Sequence, residues 1–135
     1  MTDSKPQSVQ SQHPHVDPIL NREAALAFVG HDPDFLNELL GAFHHYRPAI
    51  VERIESAVRD ADAAALREAA HQLKGALGNF HARAAVQTAR QLEEAGFQAE
   101  FVHTDSLCAQ LDNDLDSLSN AISDLLGELN ANGAH

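Results

Sequence analysis

Between Leu107 and Leu129 the residues Leu107, Leu111, Leu115, Leu118, Ile122, Leu125 and Leu129 step by four, four, three, four, three and four. At about 100° per residue this spacing keeps all seven on one side of a helix. A helix of about six turns with one apolar side has to bury that side against other elements. No alternating strand pattern occurs anywhere in the chain, so the partners must be helices.

Three further helices supply them. Asp32 caps a long one that opens at Pro33 and carries Phe35, Leu36, Leu39, Leu40, Phe43, Ile50, Ile54 and Val58 at helical spacing. Pro48 lies inside this pattern and is expected to bend it near residues 43–47, because it lacks a donor and crowds the turn before it. Asp60 and Asp62 end that helix and cap the next, from Ala63 to about Phe80. A third runs from about Ala82 to Ala95 with Ala85, Val86, Ala89 and Leu92 inward, and Gly96 is expected to stop it. Phe97 to His103 is expected to be a connector whose two phenylalanines fold back on the core, with Thr104 or Asp105 capping the last helix. A short helix, capped by Asp17, is expected from Pro18 to about Val29, presenting Ile19, Ala24, Leu26 and Phe28 and ending at Gly30. The apolar fraction is 44% but only 5% of residues are aromatic and none is Trp, so the core draws on Ala and Leu, as helical bundles do. The predicted fold class is all-α: an antiparallel four-helix bundle with a short additional N-terminal helix.

A chain of 135 residues holds one domain. Residues 1–16 are rich in Ser, Gln, Pro and His and cannot offset the entropy of folding, so they read as a disordered lead-in. Residues 17–130 form the bundle and 131–135 a disordered end. No apolar run is long enough to span a membrane and the polar start lacks a signal peptide's apolar stretch, which predicts a cytoplasmic protein. Cys108 is the only cysteine, excluding an internal disulfide and fitting a reducing compartment. The net charge of −11 argues against nucleic acid and anionic lipid as partners. From Arg59 to Arg90, however, five cations face three anions, whereas the remainder carries four against seventeen. The least acidic part of the chain is suited to receive negative charge.

That part contains the one reactive side chain that the periodicity turns away from the core. Leu66, Ala70, Leu73, Leu77 and Phe80 fall within roughly 40° of one line on the helix, while His71 projects about 140° from Leu66. Gly75 follows one turn on, Gly78 two turns on, and Lys74 stands at the edge of the same face. Each glycine inside a helix costs roughly 1 kcal/mol relative to alanine, so two of them beside an outward histidine point to a need for access. In-line attack on phosphorus brings reacting atoms to about 3–3.5 Å, and bare backbone around the ring permits that approach. An imidazole near neutral pH is a nucleophile, and Lys74 would neutralise an arriving phosphoryl group.

Competing chemistries fit less well. Glu68-x-x-His71 has the spacing of di-iron bundles, but no second such pair exists and both residues point away from the apolar stripe. Asp112, Asp114 and Asp116 imitate the start of a calcium loop, yet Ser117 replaces the turn glycine, Ser123 the closing glutamate, and the leucines keep helical phase through the run. His13 and His15 are two ligands on a polar tail, too few for a site. His44 and His45 diverge by about 100° and read as surface or packing residues. Cys108 lacks a partner at motif spacing and reads as a small packed residue.

The stretch His71-Gln72-Leu73-Lys74-Gly75, followed by Asn79, Ala82 and Leu92-Glu93, resembles the histidine-containing phosphotransfer (HPt) family. The likeness runs from about Ile19 to Leu129 and takes in the Asp34–Leu40 run ahead of Phe43. The resemblance implies a phosphorelay intermediate in two-component signalling, a carrier without kinase activity of its own. His71 would accept a phosphoryl group from the receiver-domain aspartate of a hybrid sensor histidine kinase and pass it to the receiver domain of a response regulator. It implies further that Lys74 attends the phosphate, that Gly75 keeps the approach open, that Gly78 and Gln72 support the site, and that Glu93 orients the other ring nitrogen. No cofactor is expected in the chain itself; Mg²⁺ would come with the receiver, and the carrier would be a monomer. The family usually has glycine where this chain has His81, a substitution expected to alter the helix end or narrow the docking surface. The alternative is an HPt-like module that docks receivers or kinases without accepting phosphate.

Overall fold

The computed structural model describes residues 18–133, and all regular structure among them is helical. Five helices follow one another: α1 (Arg22–Phe28), α2 (Pro33–Arg59), α3 (Ala63–Gly78), α4 (Arg83–Gln98) and α5 (Thr104–Gly133). The lead-in 1–16, Asp17 with its expected cap, and His13 and His15 lie outside the described residues. None of the described helices is long and apolar enough to cross a membrane.

The four long helices contact one another in a ring: α2 packs on α3 and α5, and α4 on α3 and α5. Leu36, Ile50 and Ile54 of α2, Leu66, Leu73 and Leu77 of α3, Ala85, Ala89 and Leu92 of α4 and Leu111, Leu115, Leu118 and Ile122 of α5 fill its centre, all buried. The α5 stripe therefore does what its spacing predicts, with Leu107 and Leu129 half-buried at the two ends. Short turns close the ring, and three of them share one device. His31, Ala61 and His81 each take a left-handed backbone conformation immediately before an N-terminal cap. Asp32 and Asp62 then accept from the amides of Asp34 and Ala65 at 3.0 and 3.1 Å.

Several boundaries depart from expectation, each for a local reason. The first helix starts at Arg22 rather than Pro18, because Asn21 is the residue whose side chain accepts from the Ala24 amide, at 3.1 Å. The Pro18 carbonyl is used elsewhere: it accepts from the Ala84 amide at 2.7 Å. That bond serves the first turn of α4, whose cap residue Ala82 has no side chain to offer. Pro48 lies inside α2, as its place in the pattern predicts; it and His44, the residue whose carbonyl loses its donor, are both solvent-exposed, so water can satisfy that carbonyl. Thr104 is the first residue of α5 rather than its cap, and its hydroxyl donates to the Phe101 carbonyl at 2.9 Å. α5 also runs on through Gly133, past the expected end at residue 130.

The aromatic residues supply two corrections. Phe28 and Phe35 are exposed, stacked on each other with centroids 6.3 Å apart across the α1–α2 turn. Phe97 is 68% exposed on α4, with the Arg67 guanidinium 5.9 Å from its ring centre, and does not fold back; Phe101 does pack against the core. Phe97 is helical because Gly96 does not stop α4. Gly96 is buried where α4 crosses α3: a Cβ there would lie 2.6 Å from the Arg67 amide nitrogen and 2.8 Å from the Ala63 carbonyl oxygen. The helix ends instead at Ala99, in a left-handed conformation.

Candidate functional site

The close α3–α4 crossing brings the middle turns of those helices within side-chain reach. His71 points outward from α3, its side chain 67% exposed, and its Nδ1 lies 2.7 Å from Oε2 of Glu93 on α4. Lys74, one turn on, donates from Nζ to Oε1 of the same carboxylate at 2.7 Å. Glu93 thus holds both α3 side chains and is itself largely covered, 21% exposed. The Lys74 hydrogen bond, opposed by partial burial and aided by His71, holds the Glu93 carboxyl below the usual carboxylate range. Lys74, expected from the sequence to neutralise an arriving phosphoryl group, is ion-paired with Glu93.

A carboxylate only accepts hydrogen bonds, so Nδ1 of His71 carries the proton in this contact and the neutral ring keeps its lone pair on Nε2. Around the ring the helix is bare: a Cβ added at Gly75 or Gly78 would meet nothing within 4 Å. No internal packing requires either glycine. Gln72 does not join the cluster, since its Oε1 accepts from Arg53 Nη1 of α2 at 2.7 Å. Between α2 and α3 lies an apolar cleft of about 250 Å³, lined by Leu39, Phe43, Tyr46, Ala76 and Phe80 among others. Burial there raises the Tyr46 hydroxyl above its ordinary pKa, against an opposing pull from Arg53.

His81 is exposed and does not wall in His71. Its φ of +52° supplies a physical reason for the glycine that the resemblance leads one to expect there: the turn needs the left-handed region, which L side chains enter at a cost of roughly 1–2 kcal/mol. Histidine tolerates that region better than most residues, and the turn forms regardless.

Other sequence candidates lie apart from this cluster. His44 bonds Ser119 of α5 at 2.8 Å and His45 is exposed. Asp116 pairs with Arg47 at 2.7 Å, while Asp114 is buried and accepts from Thr88 at 2.6 Å and from Gln110 at 2.9 Å. That arrangement is helix packing, not a calcium loop. Among the described residues no group of three or more His, Cys, Asp or Glu side chains is placed to hold a metal ion. Burial, reinforced by Glu55, Asp105 and Asp112, pushes the Cys108 thiol up to about 11, which keeps it protonated. Sequence reasoning missed the Thr88–Asp114 pair, whose signal would have been a polar residue on each of two apolar stripes. It also missed the role of Gly96.

No curated protein and no solved structure gives a significant match to this chain. Residues 38–121, from within α2 to within α5, match the family model described as Hpt domain, and His71, Lys74, Gly75 and Glu93 all lie in the matched span. With well over half of its length in that match, the chain belongs to the Hpt domain family, whose members carry phosphoryl groups in two-component signalling and interact with receiver domains.

Proposed function

We propose that the protein is a phosphorelay intermediate in which Nε2 of His71 takes a phosphoryl group from the aspartate of one receiver domain and gives it to the aspartate of another. One observation carries the reading: an exposed imidazole with Nδ1 committed to Glu93, standing on a helix face cleared by Gly75 and Gly78. In the forward step the Nε2 lone pair forms the N–P bond as the P–O bond to the receiver's aspartate breaks, and the bonding pair leaves with that carboxylate. The ring then carries positive charge that Glu93 faces through the Nδ1 proton. The return step reverses each bond.

Lys74 adds a cation at the edge of the site, its Nζ shared between Glu93 and an incoming phosphoryl oxygen. Mg²⁺ belongs to the receiver's acidic pocket in this reading, and the carrier itself supplies no kinase activity. The ring of helices would be an antiparallel four-helix bundle, acting as a cytoplasmic monomer. The apolar α2–α3 cleft beside the histidine face gives a receiver surface to bury against.

The test is transfer from a phosphorylated receiver domain in the presence of Mg²⁺, followed by the chemistry of the label. Label that is lost in acid and survives alkali, and that disappears in His71→Gln, is the expected result. Undiminished label in His71→Gln would remove His71 from the role. Binding of the receiver without any label would leave a docking module in place of a relay.

A further inference from the structure

At the His81 turn between α3 and α4 a second cleft of about 580 Å³ opens. It is lined by Pro18 and His81 and, on α4, by Arg83, Val86, Gln87 and Arg90. At 1.5 Å and 100° per residue, Arg90 lies about 5 Å along α4 and about 60° round it from Glu93, and Arg83 about 15 Å and about 80°, so both arginines stand on the side of α4 next to Glu93.

Its charge is out of keeping with the molecule. In a chain of net charge −11, Arg22, Arg47, Arg59 and Lys74 pair with carboxylates; among the described residues Arg53, Arg67, Arg83 and Arg90 do not. Two of the four lie near His71 in sequence or by contact, Arg53 on Gln72 and Arg67 one turn before the histidine, and the other two line the cleft. Arg90 forgoes even the helical neighbour suited to it. Glu94, four residues on, accepts instead from Gln98 at 2.5 Å, while Arg90 Nη1 donates to Gln87 at 2.9 Å. The Arg83 side chain has no hydrogen bond or ion pair with any described residue.

We propose that the Arg83–Arg90 cleft is the electrostatic half of the receiver-docking surface and takes an acidic segment of the partner protein, steering its approach and fixing its orientation over His71. Unpaired guanidinium groups beside an open cleft draw an acidic surface by long-range attraction, while the net negative charge of the remainder disfavours other approaches of the same surface. The two clefts divide the work on either side of the histidine: the α2–α3 cleft offers apolar area, and the α4 cleft offers charge and register. This inference rests on the relay reading above, and its test separates the two.

The experiment uses the full chain and a fluorescently labelled receiver domain, chosen from a panel as the one that binds wild type fastest. Association is followed by stopped flow from low to high salt. The double substitution Arg83→Glu/Arg90→Glu is expected to slow association at least about tenfold at low ionic strength and to flatten its salt dependence. The milder Arg83→Gln/Arg90→Gln is expected to fall between, and thermal melts check that both variants fold. Arg59→Glu, a single reversal on the α2–α5 side, is expected to leave the rate within about twofold, as for a distant exposed charge, whereas the single Arg90→Glu, with the same change in net charge, is expected to slow it more. An unchanged rate in the arginine variants, or an equal loss in Arg59→Glu, overturns the proposal. So does a shift of the NMR resonances of residues 3–17 on charge reversal, which would assign the cleft to the chain's own N-terminal segment. A dimer that charge reversal dissolves would assign it to a second copy and overturn it likewise. Phosphoramidate, a donor too small to need docking, gives its phosphoryl group to His71 with loss of ammonia. Wild type that accepts from it while the arginine variants bind the receiver normally keeps the relay and discards the cleft; wild type that refuses it discards the relay reading itself.

Discussion

Two kinds of glycine stand on the same pair of helices for opposite reasons. Gly75 and Gly78 on α3 border empty space, and a methyl group at either would touch nothing. Gly96 on α4 borders none, because the α3 backbone already occupies the place its Cβ would take. The first kind keeps the outside of the molecule open at His71. The second kind draws α3 and α4 together, one turn of helix away from the point where Glu93 reaches both His71 and Lys74. Access and positioning are thus bought with the same residue type, and only three dimensions separate the two uses.

The largest expected effect comes from adding a methyl group at the closed position. Gly96→Ala puts a carbon within 3 Å of backbone atoms that cannot rotate away, so α4 must move off α3. A loss of about 3 kcal/mol is expected, at the upper end for overpacking, measured by urea unfolding. The separation should also lengthen the Glu93–His71 contact, read as a change in the imidazole ¹⁵N tautomer signature. Wild-type stability in Gly96→Ala would show that the crossing is not tight, and the contrast with Gly75 would collapse.

The inner side of α4 sharpens the comparison with its outer side. Thr88 and Asp114 form a polar pair inside the α4–α5 contact, where water cannot replace a lost partner. Thr88→Val keeps the shape and deletes the hydroxyl, which should cost about 2 kcal/mol by stranding a buried carboxylate oxygen. Adding Asp114→Leu should recover most of that loss, because no buried polar atom is then left unmet and the exposed Gln110 amide turns to water. A double variant no more stable than Thr88→Val alone would mean the loss was packing rather than hydrogen bonding.

Much of this was legible from residue order, and the rest was hidden for identifiable reasons. The α3 stripe, the outward His71 and the Asp32 and Asp62 caps follow from local periodicity and cap chemistry, which act within a turn or two of helix. The Glu93–Lys74 pair was not legible in that way, since it depends on how closely two helices approach, and the two residues are nineteen apart in sequence. Gly96 misled for the same reason: locally it reads as a helix stop, and only the facing α3 backbone turns it into a packing residue. Phe35 misled because apolar spacing says which side of a helix residues share, not whether another helix covers it, and Phe97 because its segment reads locally as a connector after Gly96 whereas α4 runs on through Gln98.

The open position tests the same contrast with the sign reversed. Gly75→Ala should raise stability by about 1 kcal/mol, since alanine restricts the unfolded chain and meets nothing in the folded one. Transfer from a receiver domain should slow at the same time, and a bulkier Gly75→Leu should slow it further while helicity holds. Gains in stability together with unchanged transfer would break the access argument while leaving the fold intact.

The smallest expected effect concerns Glu93 and its dependence on acid. The hydrogen bond from Lys74 is the main cause of its lowered pKa in the folded protein. A group whose folded pKa is depressed contributes stability that is present in full above its unfolded value, about 4.3 for glutamate, and is lost as pH falls through the folded value. The stability difference between wild type and Glu93→Gln should therefore be flat near neutral pH and shrink progressively below about pH 4.3. The change should be small because His71 and part of the pair face water, where ion pairs contribute little. High salt should reduce it further, whereas the Thr88→Val loss on the dry side of α4 should not respond. A Glu93→Gln difference that persists unchanged down to pH 2 would mean that Glu93 acts through its shape, and the positioning of His71 would then owe nothing to its charge.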